Sequence, residues 1–277
     1  MGDSLVDNGN NNFLLTTAKS NYLPYGIDYP GGPTGRFSNA RNLADFLAEF
    51  LGFDNPIPPF ATANHGDILR GLNYGSGGAG ILDQTGAQLG DRISLNRQLQ
   101  NHGVTVSKTT LLPGLNANRA REHLNKCLYI VNMGSNDYIN NYLMPHVYPT
   151  STLHTPDQFA EILIRQYSEQ LRRCIQFLVI QYSTDAQFIF IDSISISAGI
   201  NPLALGVRVG NAPCCQVYQF DGLCVAGKVP CSNRDEYIFW DNFHPTEIFN
   251  RATAERAYSA VLPSDAYPFD IRHLAQL

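Results

Sequence analysis

The sequence predicts an α/β protein, a three-layer α/β/α sandwich with a mostly parallel central sheet, on three observations. Segments with apolar residues at helical spacing alternate with short apolar runs bounded by turn residues. One of those runs, Gln187-Phe188-Ile189-Phe190-Ile191-Asp192, is nearly continuous in apolar residues, as a strand covered on both faces must be. No internal repeat, low-complexity tract or flexible linker interrupts the 277 residues, so a single domain over 1–277 is expected.

Taken in order, Asn39 is placed to cap a helix whose apolar positions Leu43, Phe46, Leu47 and Phe50 recur at helical spacing until Gly52 stops it. Asn55-Pro56-Ile57-Pro58-Pro59 is a stiff connection. The β-capable Ile68-Leu69-Arg70-Gly71-Leu72 leads into the glycine-dense Asn73-Tyr74-Gly75-Ser76-Gly77-Gly78-Ala79-Gly80-Ile81. Residues 91–101, with Ile93, Leu95 and Leu99, read as a second helix, and the polar segment 116–126 precedes a strand over 128–133. A long helix from about 156 to 182 buries Phe159, Ile162, Leu163, Gln166 and Leu171 on one face. The last helix starts at Pro245-Thr246-Glu247 and ends before Pro263.

Composition narrows the function classes. The chain is 44% apolar and 16% charged, so it can bury a core. Its net charge is -5 and no Lys/Arg run tracks a phosphate backbone, which excludes nucleic acid as the expected partner. No stretch of about 18 apolar residues offers a membrane span, and the first residues are too polar for a signal peptide. Asn-x-Ser/Thr sequons are absent.

Four of the six cysteines, Cys214, Cys215, Cys224 and Cys231, crowd into a loop rich in Gly and Pro. Disulfides are expected there over a zinc site, because adjacent Cys214 and Cys215 do not readily chelate one metal together. Their three connectivities stay open. Such bridges imply an oxidising compartment and would brace the approach to residues 240–246. Cys127 and Cys174 sit in apolar elements and read as buried thiols.

Two separated blocks carry candidate chemistry. Met1-Gly2-Asp3-Ser4-Leu5 presents a serine, and Trp240-Asp241-Asn242-Phe243-His244-Pro245-Thr246 presents a histidine three residues after an aspartate. A serine hydroxyl needs a base, and the base needs an orienting carboxylate, before it attacks an acyl carbon at neutral pH. The glycine loop lacks the Lys-Ser/Thr ending of a phosphate loop and suits an oxyanion through bare N–H groups. In Cys127-Leu128-Tyr129-Ile130-Val131-Asn132-Met133-Gly134-Ser135-Asn136-Asp137-Tyr138 a strand runs into a turn, which places the Asn136 amide where sites are built.

These four blocks, in this order, resemble the GDSL-type esterases and lipases of the SGNH hydrolase superfamily, most closely the plant branch. Leu5-Val6-Asp7-Asn8-Gly9-Asn10-Asn11-Asn12, the segment from Tyr25-Gly26-Ile27-Asp28 through Gly35-Arg36-Phe37-Ser38-Asn39, and Ala257-Tyr258-Ser259 share the likeness, which covers nearly the whole chain. The resemblance implies Ser4 as nucleophile, Asp241 and His244 as its partners, and Ser4, Gly78 and Asn136 as oxyanion donors. Gly78 is preferred over Gly77 by counting from Asn73. It further implies hydrolysis of carboxylic esters of lipids or other acyl compounds by a secreted monomer with no cofactor and no metal; an acyltransferase acting on a polymer hydroxyl would use the same triad.

Two family segments are missing from the pattern. No apolar strand precedes Gly2, so Ser4 is expected to lack its anchor, and a central strand, a Gly-Cys-Ser-Pro-like turn and a helix are absent between 173 and 188. A truncated or misspliced, catalytically impaired member is the alternative. Phe177-Leu178-Val179-Ile180 is the candidate substitute strand. Other polar residues receive structural readings: Arg36 as a surface partner of Asp28 or Asp45, Asp3 and Asp137 as turn stabilisers, and His65, His102, His123, His146, His154 and His273 as unassigned.

Overall fold

The helices Leu43–Phe50, Leu95–Thr109 and Ala117–Asn125 each start where an asparagine or serine side chain reaches an orphan N–H. The computed structural model describes residues 1–178 and 186–277. Its helices are α1 Leu43–Phe50, α2 Leu95–Thr109, α3 Ala117–Asn125, α4 Ser135–Asp137, α5 Thr150–Leu153, α6 Pro156–Leu178, α7 Ser193–Gly199, α8 Glu247–Tyr258 and α9 Ile271–Leu274. The strands are β1 Phe190–Ile191, β2 Val209–Pro213, β3 Tyr237–Phe239 and β4 Ala266–Tyr267. The protein is therefore mixed α/β with small sheets: β1 pairs antiparallel with β4, and β2 pairs parallel with β3. Two compact units divide the chain, one of Met1–Lys19 with Pro58–Thr184 and one of Ser20–Ile57 with Asp185–Leu277.

In the first unit Ser94 caps α2 by accepting the Arg97 N–H, so the helix starts at Leu95 and Ile93 lies outside it. Leu95, Gln98, Leu99, His102, Thr105 and Thr109 are buried at i, i+3, i+4 spacing, and α2 packs against α6. From α6, Phe159 and Leu163 join Ile81 and Tyr142 in one apolar cluster. The polar segment 116–126 is itself helical, because Asn116 caps α3 while Ala120 and Leu124 supply a small buried face. Ile68 to Leu72, expected as a strand, forms a turn; only Asn73 makes a bridge, with Pro59. The Asp67 side chain accounts for this by accepting from the Asn64 N–H and holding Arg70, which closes the chain locally.

The chain start is better held than its sequence suggests. The Met1 amine donates to the Ile130 carbonyl at 2.8 Å, the Asn132 N–H to Met1 at 3.1 Å, and the Asp3 N–H to Asn132 at 3.2 Å. Residues 128–133, expected as a regular strand, are thus an extended segment with one parallel bridge, Asn132 to Gly2. Buried Gln98 completes the attachment: its amide oxygen accepts the Gly2 N–H and its amide nitrogen donates to the Gly2 carbonyl, both at 2.8 Å. A side chain here does what a second neighbouring strand would do for the backbone. Glycine is required at position 2, since a Cβ would lie 2.4 Å from Val6 Cγ2 and 2.5 Å from the Asn132 oxygen.

In the second unit Asn42, not Asn39, caps α1, in a reciprocal box with Asp45. Asn39 instead accepts the Glu247 N–H at 2.8 Å and so caps α8, which packs on α1. Asp45 also takes Arg36 through two bonds of 2.6 and 2.7 Å. Arg36 pairs with one of its two expected partners, but it is buried, with its guanidinium over the Tyr29 ring. The apolar run at 187–192 forms only the two-residue β1. Phe188 and Phe190 are 58% and 64% exposed, because among the described residues this segment pairs on one edge and has no second strand beside it. Phe177 and Leu178 of the candidate substitute strand are the end of α6, whereas Val179 and Ile180 lie outside the described residues.

His102 gives the first unit a pH signature. It is buried edge-on between Tyr74 and Tyr129, and burial, reinforced by the Met1 amine, lowers its pKa from 6.5 to about 4. Folding keeps this imidazole neutral, so its contribution to stability is fully present above pH 6.5 and is lost as pH falls through the window from 6.5 to about 4. His102→Gln is expected to remove about 3 kcal/mol of the acid-dependent loss of unfolding free energy. Urea denaturation of both proteins at neutral and acid pH checks this; parallel losses would contradict it.

Candidate active site

Ser4 opens a short turn, Ser4–Val6, whose geometry is set by the residue before it. The Asp3 carboxylate accepts the Leu5 N–H at 3.0 Å, as its position before the serine led one to expect. The polar run that follows does not face solvent. Asp7, Asn10 and Asn11 are buried, and all three grip the glycine loop. Asp7 accepts from the N–H groups of Gly9 and Asn10 with one oxygen and from Gly77 with the other, at 2.8, 2.8 and 2.9 Å. Asn10 donates to the carbonyls of Asn73 and Gly75, and Asn11 to those of Ala18 and Gly77. Ser76 closes the knot by donating its hydroxyl to Asn11 and its N–H to Gly2.

The clamp distinguishes two adjacent glycines. Asp7 occupies the N–H of Gly77, whereas that of Gly78 has no acceptor among the described residues. Gly78 adopts φ +76°, a conformation open to glycine at little cost, and a Cβ there would approach Leu89 Cδ1 to 2.9 Å. The loop then passes Asn136, whose amide donates to the Ala79 carbonyl at 2.9 Å and accepts from Asn140 at 2.6 Å. Its neighbour Asp137 does more than cap its own turn. It accepts the N–H groups of Ile81 and Leu82 and the Thr85 hydroxyl at 2.8, 3.1 and 2.7 Å. Burial raises the pKa of Asp137 against the pull of these hydrogen bonds. The first unit thus gathers Ser4, Gly78 and Asn136 around one pinned loop.

Asp241 and His244 belong to the second unit, on a tight turn that leaves β3. The Trp240 N–H donates to the His244 carbonyl at 2.8 Å and Thr246 returns to Ile238 at 2.9 Å. Within this turn Asp241 is fully buried, and its Oδ1 accepts the N–H groups of Phe243 and His244, both at 2.8 Å. His244 Nδ1 lies 2.9 Å from Oδ1 and 2.7 Å from Oδ2. A carboxylate at that distance fixes the proton on Nδ1, so Nε2 is the basic nitrogen. The Phe37 ring stands 4.8 Å from the imidazole, and the Tyr25 hydroxyl donates to Asp241 Oδ2 at 2.6 Å.

Disulfides Cys214–Cys231 and Cys215–Cys224 stand behind this turn. Adjacent cysteines at the end of β2 therefore take different partners. The N–H groups of Cys214 and Cys215 donate to the carbonyls of Phe239 and Trp240, and the cystines pack with Tyr25 and Trp240 in one buried cluster. Of the two remaining thiols, Cys174 is buried as expected but Cys127 is exposed, because it follows α3 at a turn.

The Asp241–His244 pairing follows from spacing alone. Asp7, Asn10, Asn11, Phe37 and Tyr25 escaped that reading, since buried amides and a tyrosine 216 residues from its carboxylate carry no local spacing rule. Among the described residues no helix is long and apolar enough to cross a membrane, and no cluster of three or more His, Cys, Asp or Glu could hold a metal ion.

The family described as GDSL-like Lipase/Acylhydrolase matches residues 1–182. The GDSL esterase/lipase At1g29670 of Arabidopsis thaliana is 43% identical across 100% of this chain and 90% of its own length. The GDSL esterase/lipase At5g45670 of the same plant is 41% identical across 100% and 91%. The first alignment runs over 329 residues although this chain has 277, so the relative carries residues that this chain lacks.

The cystines are expected to carry a large share of the second unit's stability. Cys215→Ala with Cys224→Ala should cost about 2–4 kcal/mol in calorimetric unfolding, and Cys127→Ser should cost nothing measurable. Equal melting of all three proteins would show that the bridge constrains nothing.

Proposed function

The chain belongs to the GDSL-like lipase/acylhydrolase family, and from that premise we propose that it hydrolyses carboxylic esters with Ser4 as nucleophile, His244 as base and Asp241 as orienting acid. The observation that carries the proposal is the Asp241–His244 pair, already formed at 2.7 Å in a buried turn. In the proposed reaction Ser4 Oγ attacks the acyl carbon as His244 Nε2 takes its proton. The carbonyl oxygen becomes negative and is received by the N–H groups of Ser4 and Gly78 and by the Asn136 amide. Collapse expels the alcohol, which takes its proton from His244. Water then attacks the acyl-serine by the same route and releases the acid.

The commitment of Gly77 to Asp7 supports Gly78 as the donor. Acyl esters of lipids or small molecules are the proposed substrates, with no cofactor and with the chain acting as a monomer. A three-layer α/β/α arrangement in one domain over 1–277 is proposed as its architecture. The two disulfides support action in a secreted, oxidising environment. A second reading, a folded but catalytically impaired relative, is favoured by the residues that At1g29670 carries and this chain lacks.

A fluorophosphonate probe separates the two readings, because it reacts only with an activated serine. Wild-type protein should label and hydrolyse a short acyl ester, Ser4→Ala should do neither, and Asn136→Ala should lose about a hundredfold to a thousandfold in kcat. Undiminished hydrolysis by Ser4→Ala would refute the assignment, and an unlabelled wild type would favour the impaired relative.

A further inference from the structure

Among the described residues, Asp241 has one hydrogen-bond donor that its own turn does not supply. Its Oδ1 is held by two backbone N–H groups of residues 243 and 244, whereas Oδ2 receives neither of them. The Tyr25 hydroxyl meets Oδ2 at 2.6 Å, on the oxygen that lies 2.7 Å from His244 Nδ1. The same hydroxyl accepts the Cys224 N–H at 3.0 Å, which directs its proton toward Asp241. We infer that Tyr25 is a positioning residue, aligning the Asp241 carboxylate with His244 and tying that alignment to the Cys215–Cys224 disulfide. The inference rests on the roles proposed above for Asp241 and His244.

Independent features of the surroundings agree. The Tyr25 ring is fully buried and lies edge-on to Tyr22 at 5.3 Å and to Phe37 at 6.0 Å. Phe37 in turn lies tilted against the imidazole at 4.8 Å, so one aromatic wall borders both members of the pair. Burial, and then the neighbouring Asp241 carboxylate, holds the Tyr25 hydroxyl well above its usual pKa of 10, so it remains a donor. The other titratable groups near this carboxylate are Tyr22 and Asp221. Tyr22 spends its hydroxyl on the Cys224 carbonyl at 3.0 Å and does not donate to Asp241. It is therefore a matched control: the same cluster, the same loss of one hydroxyl, no hydrogen bond from that group to the carboxylate.

Removing the Tyr25 hydroxyl has two consequences. Oδ2 loses the donor that aims it, and the less neutralised carboxylate binds the imidazolium proton more strongly. Tyr25→Phe should lower kcat about tenfold to a hundredfold with KM unchanged. It should also move the acid limb of the kcat/KM profile to higher pH and shift the far-downfield NMR resonance of the proton between His244 Nδ1 and Asp241. Tyr22→Phe should change none of the three. The inference is overturned if Tyr25→Phe keeps the wild-type kcat, profile and resonance, or if Tyr22→Phe reproduces its effects.

The resonance is read on the intact chain without turnover, so it decides the positioning role even if Ser4 proves not to be the nucleophile. Loss of hydrolysis in the wild type would count against the esterase reading alone. If Tyr25→Phe does not fold, 3-fluorotyrosine at position 25 keeps the shape while strengthening the donor. An unshifted resonance there would likewise overturn the role.

Discussion

The Asp7 carboxylate ties the turn that carries Ser4 to the loop that carries Gly78, and the order of the first unit's candidate site depends on that tie. One oxygen collects two N–H groups from its own turn and the other reaches Gly77. Asn10 and Asn11 extend the grip through four backbone carbonyls, and Gln98 secures Gly2 behind the serine. Each of these amides is buried, so each must be paired or cost about 1–3 kcal/mol. The pairing makes the loop conformation a condition of folding, and leaves the Gly78 N–H as an unspent donor.

The second unit solves the same problem with the same device. Asp241 organises its own turn by accepting two N–H groups, while its other oxygen faces His244 and Tyr25. What differs is the backing. Two cystines and Trp240 replace the asparagine knot, and through Cys224 and Tyr25 the covalent bracing reaches the carboxylate itself. In both units a buried carboxylate organises a loop, and the proposed catalytic arrangement would require such order because small misalignments are expensive in rate.

How much of this is legible in the sequence depends on whether the relevant contact is local. Helices α1 and α6 follow from apolar spacing and α8 from the prolines that bound it, and the Asp241–His244 pair follows from a three-residue interval. Failures occur where a distant partner decides. Asn39 looks like the cap of the next helix and caps α8 instead, 208 residues away. The apolar run at 187–192 looks like a strand covered on both faces, yet only Phe190–Ile191 pairs, with Ala266–Tyr267. Ser4 itself reads as untethered. That impression misses the side-chain hydrogen bonds that stand in for a ladder, because periodicity records burial of apolar groups and is blind to satisfied amides.

Amide hydrogen exchange at two adjacent glycines tests the central claim, that a side-chain carboxylate rather than a sheet holds the glycine loop. The account predicts that the Gly77 amide is strongly protected and the Gly78 amide is not. In Asp7→Ala, Gly77 should lose about tenfold to a hundredfold of that protection while the α2 amides keep theirs. Unchanged Gly77 exchange in Asp7→Ala, or equal protection of the two glycines in the wild type, would contradict it.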